Sequence, residues 1–169
     1  MLPGWLEEPV AKRHDRSGFR CGEPALDEFL ALYARQSHER GAAKTFVAAD
    51  RTDRKTIHGY YTLSPASVAF ARIPPNSRLG LARHEVGAFR LARLAVSARL
   101  QGQGLGGQLL MAAGQRCQRV AQEVGGSFLL IDAKNERAAA WYGSLGATAL
   151  LDAPLALILP LATIAQASR

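Results

Sequence analysis

The sequence predicts a single α/β domain in which a mixed central β-sheet is flanked by helices. Its 169 residues fit one domain, since domains usually contain about 100–200 residues. Residues 127–132 form an apolar stretch with a polar end, which is typical of a buried strand in an α/β sheet. A helical pattern precedes this stretch and another follows it. We therefore expect residues 1–169 to fold as one domain.

The N-terminal half is predicted to form a helix followed by a β-hairpin. The helix begins at Pro24, and apolar residues recur along it at helical spacing. These residues are Leu26, Phe29, Leu30 and Tyr33. Residues 45–49 and 57–63 are predicted strands, and the charged segment 50–55 between them is the predicted turn. A proline-containing loop is expected at 72–83.

The C-terminal half is predicted to alternate strands and helices. The predicted elements are a strand at 89–96, a glycine-rich loop at 97–107, a helix at 105–124, a strand at 127–132, a helix at 135–145, and short strands at 148–151 and 155–159. The long helix has an apolar face that we expect to be buried, consisting of Leu105, Leu109, Leu110, Ala113, Cys117, Val120, Ala121 and Val124. Cys117 is accordingly predicted to be a free thiol in the core, since two isolated cysteines make no disulfide framework.

The glycine-rich loop is the strongest candidate binding feature. Glycines let backbone N–H groups approach an anion, and the N-terminus of the following helix adds further N–H groups and the positive end of its dipole. We therefore expect this loop to bind a pyrophosphate. A P-loop is excluded, because Gln108 and Leu109 follow Gly107 where Lys and Ser or Thr would be required.

A dinucleotide-binding loop is matched only formally. Gly102, Gly104 and Gly107 have the required spacing, and Asp132 ends the next strand 25 residues later. However, residues 97–101 separate the first glycine from the strand, and only 37 residues follow Asp132. That is too few for most of a doubly wound sheet.

A third pattern, Q-x-x-G-x-G, is matched by Gln101, Gly104 and Gly106. It resembles the acetyl-CoA loop of the GCN5-related N-acetyltransferase (GNAT) superfamily. Residues 94–96 resemble the central strand of that superfamily, whose backbone pairs with the pantetheine arm, and residues 135–147 resemble its closing helix. The resemblance implies a single-domain GNAT fold with acetyl-CoA as co-substrate. It assigns cofactor binding to Leu94, Ala95, Val96, Gln101, Gly102, Gln103, Gly104, Leu105, Gly106, Gly107 and Asn135.

The N-terminal half narrows this resemblance. Residues 19–30, FRCGEPALDEFL, resemble the opening F-x-C/S-G-E-x-x-L-D-x-F/W-L of GNAT toxins from type II toxin–antitoxin modules. The blocks at 45–47, 59–63 and 93–96 resemble those that follow in these toxins, so the similarity spans about residues 19–159. It implies an enzyme that acetylates the α-amine of aminoacyl-tRNA and blocks translation. It also implies a ribbon-helix-helix antitoxin as partner and a homodimer.

The sequence departs from the toxin pattern at two positions beside the loop. Ser97 stands where the family often has Asp, and Gln103 stands where it often has Lys. The second change removes a possible phosphate contact, for which we expect Arg99 to compensate. In the closing helix, Ala147 replaces the usual aromatic residue, and Trp141 is predicted to pack in the core.

The resemblance makes Tyr142 the general acid that protonates the CoA thiolate. The alternative from spacing alone, an aromatic packing residue, stays open. A backbone N–H of residues 94–96 is expected to hold the thioester carbonyl. Residues 91–100 contain no carboxylate and no His. This favours an α-amine acceptor, with a pKa of about 7.7–8.0, over a lysine at about 10.4. His84 and Glu85 stay open as an assisting base.

The charge distribution is consistent with a polyanionic partner, and a basic surface that only keeps the protein soluble is an equally weighted alternative from charge alone. The net charge is +7, and residues 51–119 hold eleven basic residues against two acidic ones, a balance of +9. Arg90, Arg93 and Arg99 are the candidates for binding tRNA. For Arg90 and Arg93, a structural arginine paired with a carboxylate is an equally weighted alternative. The four histidines lack metal-ligand spacing, so no metal is expected.

The remaining expectations concern location and rival functions. No signal-peptide pattern begins the chain, and its most apolar stretch, residues 153–165, is shorter than the about 20 residues of a membrane span. A cytoplasmic protein without membrane contact is expected. Two other functions stay open. One is a GNAT enzyme acting on a small amine or a protein N-terminus, and the other is a non-catalytic module that binds CoA or nucleic acid.

Overall fold

The structure is a computed structural model in which residues 1–167 are described. The strands are β1 (Trp5–Pro9), β2 (Lys44–Asp50), β3 (Ile57–Ala69), β4 (Glu85–Val96), β5 (Phe128–Asp132), β6 (Thr148–Leu150) and β7 (Ala153–Pro160). The helices are α1 (Pro24–Glu28), α2 (Ala34–Arg40), α3 (Leu105–Val124), α4 (Glu136–Ser144) and α5 (Leu161–Ala167), and a π-helical turn, Phe29–Tyr33, joins α1 to α2. The strands form one sheet in the order β1-β2-β3-β4-β5-β7-β6. The sheet is mixed, because β4 and β5 are parallel while β1, β2, β6 and β7 have antiparallel neighbours. The predicted α/β class is confirmed.

Two elements were missed by the sequence patterns. Strand β1 contains two glutamates and ends in a proline, so it lacks the apolar alternation of a half-buried strand. It forms because it lies at the sheet edge and pairs antiparallel with β2. Helix α5 has only seven residues, too few to show a helical period, and is fixed by packing. Strands β3 and β4 also extend further than predicted.

The chain divides into two compact units. Unit 1 comprises Met1–Ser64 and Ala92–Ala112, and unit 2 comprises Pro65–Leu91 and the chain from Ala113 onward. In unit 1 the helical segment α1–α2 packs on one face of the strands. The buried side chains that form this core are Val10, Phe19, Cys21, Leu30, Ala34, Val47, Ala49, Ile57, Tyr60 and Ala95.

The opposite face of the unit 1 strands receives α3. Gly59 in β3 has no side chain there, and a Cβ atom at this position would lie 2.8 Å from Leu109 Cδ1 and 2.9 Å from the Ala95 carbonyl oxygen. Both distances are shorter than real Cβ contacts, so only glycine allows this approach. Leu105 and Leu109 are almost completely buried as a result.

The core of unit 2 combines side chains from the end of β3, the segment that follows it, and strands β4, β5, β6 and β7. Its buried members are Val68, Ile73, Val86, Ala88, Phe128, Leu130, Leu150 and Ile158. Helix α5 lies against α3, where Ile164 contacts the Gly114 position and Gln118 Nε2 donates to the Leu161 carbonyl at 2.7 Å.

The predicted apolar face of α3 is correct only for its first four turns. Cys117 is buried and free, as predicted. Val120 and Val124 are exposed, at 43% and 75%, so their predicted burial is wrong. The contacts of α3 with α5 are made at Gly114 and Gln118, and the last turn of the helix lies beyond them.

Unit 1 also contains a buried carboxylate. Glu8 in β1 accepts hydrogen bonds from His14 Nε2 at 2.9 Å and from Arg54 Nε at 2.8 Å. Arg13 Nη2 forms an ion pair with Glu8 Oε1 at 2.9 Å. The Ala11 N–H donates to His14 Nδ1, which leaves the proton on Nε2 for Glu8. Burial raises the pKa of Glu8, but these hydrogen bonds outweigh it and lower the pKa to about 2.

We predict that replacing Gly59 by Ala destabilises the fold by about 1–3 kcal/mol, because the added methyl group meets Leu109 and a backbone carbonyl. The measurement is the free energy of unfolding in urea. Gly143→Ala is the matched control, since nothing lies within 4 Å of its Cβ position in α4. An unchanged free energy for Gly59→Ala would contradict the close approach.

The Glu8 pairing predicts an acid-sensitive stability. The folded pKa of about 2 lies below the ordinary value of 4.5, so this contribution is complete above about pH 4.5 and is lost as the pH falls towards 2. The urea midpoint should therefore fall more steeply between pH 5.5 and 2.5 in the wild type than in Glu8→Gln. Glu123→Gln, at an exposed position in α3, should keep the wild-type slope. Equal slopes for Glu8→Gln and the wild type would show that the pairing contributes nothing.

Candidate active site

The loop between β4 and α3 leaves its backbone accessible. After a 3₁₀ turn at Ala98–Leu100, Gly102 and Gly104 adopt φ angles of +82° and +92°, which favour glycine. No heavy atom lies within 4 Å of the Cβ positions of Gly102, Gly104 or Gly107. A side chain at any of these positions would fill space that is open next to the backbone.

The open loop ends at the N-terminus of α3. The Gln108 N–H donates to the Gly104 carbonyl at 3.2 Å, which is the first hydrogen bond of the helix. The N–H groups of Leu105, Gly106 and Gly107 precede this bond, at the positive end of a 20-residue helix. Open glycines and a helix N-terminus together fit a pyrophosphate such as that of CoA.

Gln101 has a role in the loop that its motif does not reveal. Its Nε2 donates to the Val96 carbonyl at 3.0 Å and to the Cys21 carbonyl at 2.7 Å. The side chain therefore ties the loop to the end of β4 and to the turn that precedes α1. Gln101 positions the loop, and only its backbone is left to contact a phosphate.

The end of β4 is held within and directly after the predicted acyl-binding residues. Ala95 is buried in the unit 1 core, while Leu94 and Val96 alternate with it and are half-buried. The Ser97 N–H donates to the His58 carbonyl at 2.9 Å. The strand is thus fixed where its backbone would meet a thioester.

The two open candidates for a base lie at the other end of the same strand. His84 and Glu85 are exposed, and Glu85 is the first residue of β4. Leu94 follows nine residues later, which corresponds to about 30 Å along an extended strand. The strand therefore separates Glu85 from residues 94–96.

Tyr142 lies in α4, in unit 2, and is 7% exposed. Burial raises the pKa of its phenol to about 12, so the hydroxyl keeps its proton at neutral pH. Trp141 is 38% exposed, so its predicted core position is wrong. Adjacent residues on a helix point about 100° apart, and Tyr142 takes the buried direction. The Trp141 ring packs edge-on against Tyr142, with centroids 4.9 Å apart.

Asn135 begins α4 as its N-cap. Its side-chain oxygen accepts a hydrogen bond from the Ala138 N–H at 2.8 Å. The capping role accounts for the residue type, and a contact between Asn135 and a cofactor stays a prediction.

The three candidate arginines have different surroundings. Arg90 forms an ion pair with Asp132 at the end of β5. It therefore fits the alternative of a structural arginine that is paired with a carboxylate. The Arg93 guanidinium carbon lies 3.6 Å from the centroid of the Phe29 ring, which is not the carboxylate pairing that the alternative supposed. Arg99 is exposed on the 3₁₀ turn beside the loop. The sequence did not predict the contact of Phe29 with Arg93, because the helical spacing of Phe29 indicated only core packing.

Comparison with known proteins identifies the family. The family model "Acetyltransferase (GNAT) family" matches residues 11–147, and the chain belongs to that family. One match spans residues of both units, which confirms the prediction of one GNAT domain. Its extent over residues 1–169 stays a prediction.

Two curated relatives are toxins. The chain is 35% identical over 133 residues to a tRNA-acetylating toxin from Mycobacterium tuberculosis, covering 79% of this chain and 78% of that protein. It is 30% identical over 166 residues to a probable toxin, TacT, from Sinorhizobium fredii, covering 93% and 91% of the two chains.

Solved structures of similar proteins share the fold. AtaT complexed with acetyl-methionyl-tRNAfMet superposes with a TM-score of 0.90 at 28% identity, over 98% of this chain and 99% of that one. A tyrosine-to-phenylalanine mutant of KacT gives a TM-score of 0.90 at 27% identity, over 97% and 99%. A mutant AtaT bound to the C-terminus of the antitoxin AtaR and to acetyl-CoA gives a TM-score of 0.83 at 27% identity, over 98% of each chain.

Two further findings concern residues 1–167. None of their helices is long and apolar enough to cross a membrane. No group of three or more His, Cys, Asp or Glu side chains among them is placed to hold a metal ion.

The Gln101 contacts predict that Gln101→Ala weakens CoA binding at least about fivefold. The substitution leaves the Val96 and Cys21 carbonyls without their donor and releases the loop. The dissociation constant of CoA, measured by calorimetry, reports the change. Gln103→Ala, which truncates an exposed side chain of the same loop, is the matched control and should change it less than twofold. Wild-type affinity in Gln101→Ala would contradict the positioning role.

Proposed function

We propose that this protein is an acetyl-CoA-dependent N-acetyltransferase toxin that acetylates the α-amine of aminoacyl-tRNA and thereby blocks translation. The observation that carries the proposal is the similarity, over nearly the whole chain, to AtaT in complex with acetyl-methionyl-tRNA. The curated tRNA-acetylating toxin supports the same substrate class. The basic balance of residues 51–119 suits a polyanionic substrate.

The loop residues bind the co-substrate in this proposal. Acetyl-CoA supplies the acetyl group as a thioester. The backbone N–H groups from Gln101 to Gly107 hold its pyrophosphate, because they are open and lie at the N-terminus of α3. Asn135 and the strand residues Leu94, Ala95 and Val96 contribute the remaining contacts.

Residues 94–96 and Tyr142 promote the acyl transfer. A backbone N–H of the strand donates to the carbonyl oxygen of the thioester, where negative charge develops. The amine nitrogen forms a bond to the acyl carbon as the carbon–sulfur bond breaks. Tyr142 donates its hydroxyl proton to the leaving sulfur and regains a proton from water, while the amine gives its surplus proton to water.

The lack of acidic and histidine side chains within residues 91–100 supports an α-amine as the acceptor. Residues 91–100 contain no Asp, Glu or His, and β4 separates Glu85 from residues 94–96. An α-amine with a pKa of about 7.7–8.0 is already partly neutral at physiological pH, whereas a lysine at about 10.4 would need a base. The enzyme therefore acts on an amine that does not require deprotonation by the protein.

The partners follow from the toxin class. We include a ribbon-helix-helix antitoxin, a homodimeric state and a cytoplasmic location in the proposal. The solved complex of an AtaT mutant with the C-terminus of AtaR supports an antitoxin that binds the toxin directly.

Substrate class is tested with labelled acetyl-CoA and two tRNA pools, one aminoacylated and one deacylated. The proposal predicts label only on the aminoacylated pool, in a form released with the amino acid when the ester is hydrolysed. Equal labelling of both pools would exclude the α-amine. Labelling of a small amine or a protein N-terminus in preference to tRNA would favour the other GNAT function.

Tyr142→Phe should lower kcat about 10²-fold or more, since it removes the proton donor for the leaving sulfur. The dissociation constant of CoA and the melting temperature should stay close to wild-type, because the ring is retained. Tyr33→Phe, which removes the hydroxyl of an exposed tyrosine, is the matched control. A wild-type kcat for Tyr142→Phe would leave the residue with a packing role only.

A further inference from the structure

The segment that covers one face of unit 1 contains an unusual turn. Residues Phe29–Tyr33 form a π-helical turn, closed by a hydrogen bond from the Ala34 N–H to the Phe29 carbonyl. Leu30 and Ala34 are fully buried on this segment. Single π-turns within helices are rare and are frequent at functional sites. Phe29 is the first residue of this turn.

The Phe29 ring contacts two groups. The Arg93 guanidinium carbon is 3.6 Å from the Phe29 ring centroid, a stacking distance. The Tyr60 ring is nearly parallel to the Phe29 ring, with centroids 6.4 Å apart. The Tyr60 hydroxyl donates to the Leu26 carbonyl at 2.7 Å, which fixes that ring to α1. Arg93 is therefore positioned by a stack that is itself anchored in the core.

The edge of the Arg93 guanidinium has no acceptor in the part of the chain that the structure describes. No hydrogen bond or ion pair of Arg93 is found among residues 1–167, whereas Arg90 is paired with Asp132. One face of the guanidinium is covered by Phe29, and its N–H groups stay free to form a bidentate contact. Such a fork matches a phosphate.

The Arg93 side chain and helix α3 lie on opposite faces of the unit 1 strands. Arg93 contacts Phe29 on the face of the unit 1 strands that α1 and α2 cover. Gly59, one residue before Tyr60, faces α3 on the opposite side. The Arg93 side chain thus lies on the other face of β4 from the helix whose N-terminus is assigned to the CoA pyrophosphate. It also directly precedes residues 94–96, where the thioester is proposed to bind.

We propose that Phe29 is a positioning residue that holds the Arg93 guanidinium ready to bind a backbone phosphate of the tRNA acceptor strand, next to the aminoacyl end. This inference rests on the proposed function. Phe29 limits the freedom of a long side chain, so the guanidinium pays less entropy when it binds the phosphate. The aminoacyl ester is thereby placed beside the acyl-binding strand.

The test compares two minimal acceptors that carry the same amino acid. One is an aminoacyl-adenosine, and the other is the same compound with a 5′-phosphate. Phe29→Leu and Arg93→Gln should each raise KM for the phosphorylated acceptor about five- to tenfold and leave its kcat within twofold. Neither should change KM for the acceptor without phosphate. Phe29→Tyr, which keeps the ring, should behave as wild-type.

The chain offers a matched control in Phe70→Leu. The Arg78 guanidinium carbon lies 4.9 Å from the Phe70 ring centroid, and Arg78 already donates to the carbonyls of Ile73 and Ala71. Phe70→Leu should leave both KM values unchanged. The affinity for CoA should be unchanged in every variant, and an affinity loss in Arg93→Gln would instead assign the phosphate to CoA and overturn the proposal.

Equal increases in KM for both acceptors would show that Phe29 only packs, and would overturn the phosphate contact.

A second experiment separates this inference from the proposed function. It measures direct binding of intact tRNA by fluorescence anisotropy at several salt concentrations. Arg93→Gln should reduce the salt slope by about one. That result would support the phosphate contact even if the wild-type protein acetylated no aminoacyl acceptor, an outcome that would refute the proposed function alone.

Discussion

The close approach of β3 and α3 at Gly59 is the constraint on which the geometry of unit 1 depends. The absent side chain lets Leu109 reach the strands and buries Leu105 at the start of the helix. Leu105 directly follows the glycine loop, so this contact also fixes where the helix presents its first N–H groups. Because side chains alternate along a strand, Tyr60 then points to the opposite face and supports Phe29. Gly59 thus allows α3 to pack on one face of β3, while the next residue, Tyr60, supports Phe29 on the other face.

The sequence predicts best where the structural signal is local. The glycine loop, α3 and β5 are found at their predicted places, because positive-φ glycines, a helical period and a continuous apolar run each act within about 20 residues. Strand β1 could not be predicted in this way. Its stability comes from pairing with β2, some 40 residues distant, and from the cations that surround Glu8. Helix α5 likewise depends on α3.

The roles of the site residues show the same limit. Motif spacing selects Gln101, but only the structure shows that its side chain bonds two carbonyls rather than a ligand. The alternation of arginines on β4 left Arg90 and Arg93 equivalent. Partners from distant elements separate them, since Asp132 neutralises one and Phe29 stacks on the other. A residue type and a spacing define a candidate, and the neighbours decide its function.

The burial of Tyr142 limits how it can act as an acid. Its pKa of about 12 lies above that of an ordinary thiol, about 8.5, so complete transfer of its proton to a free thiolate would be uphill. In the proposed mechanism, burial also strengthens the hydrogen bond from the Tyr142 phenol to a charged sulfur, because the effective dielectric constant is lower there than in water. The proton is therefore best shared while the carbon–sulfur bond is breaking, when the charge on sulfur is developing beside the phenol. A tyrosine suits this task because it stays protonated at every physiological pH and donates only where negative charge appears.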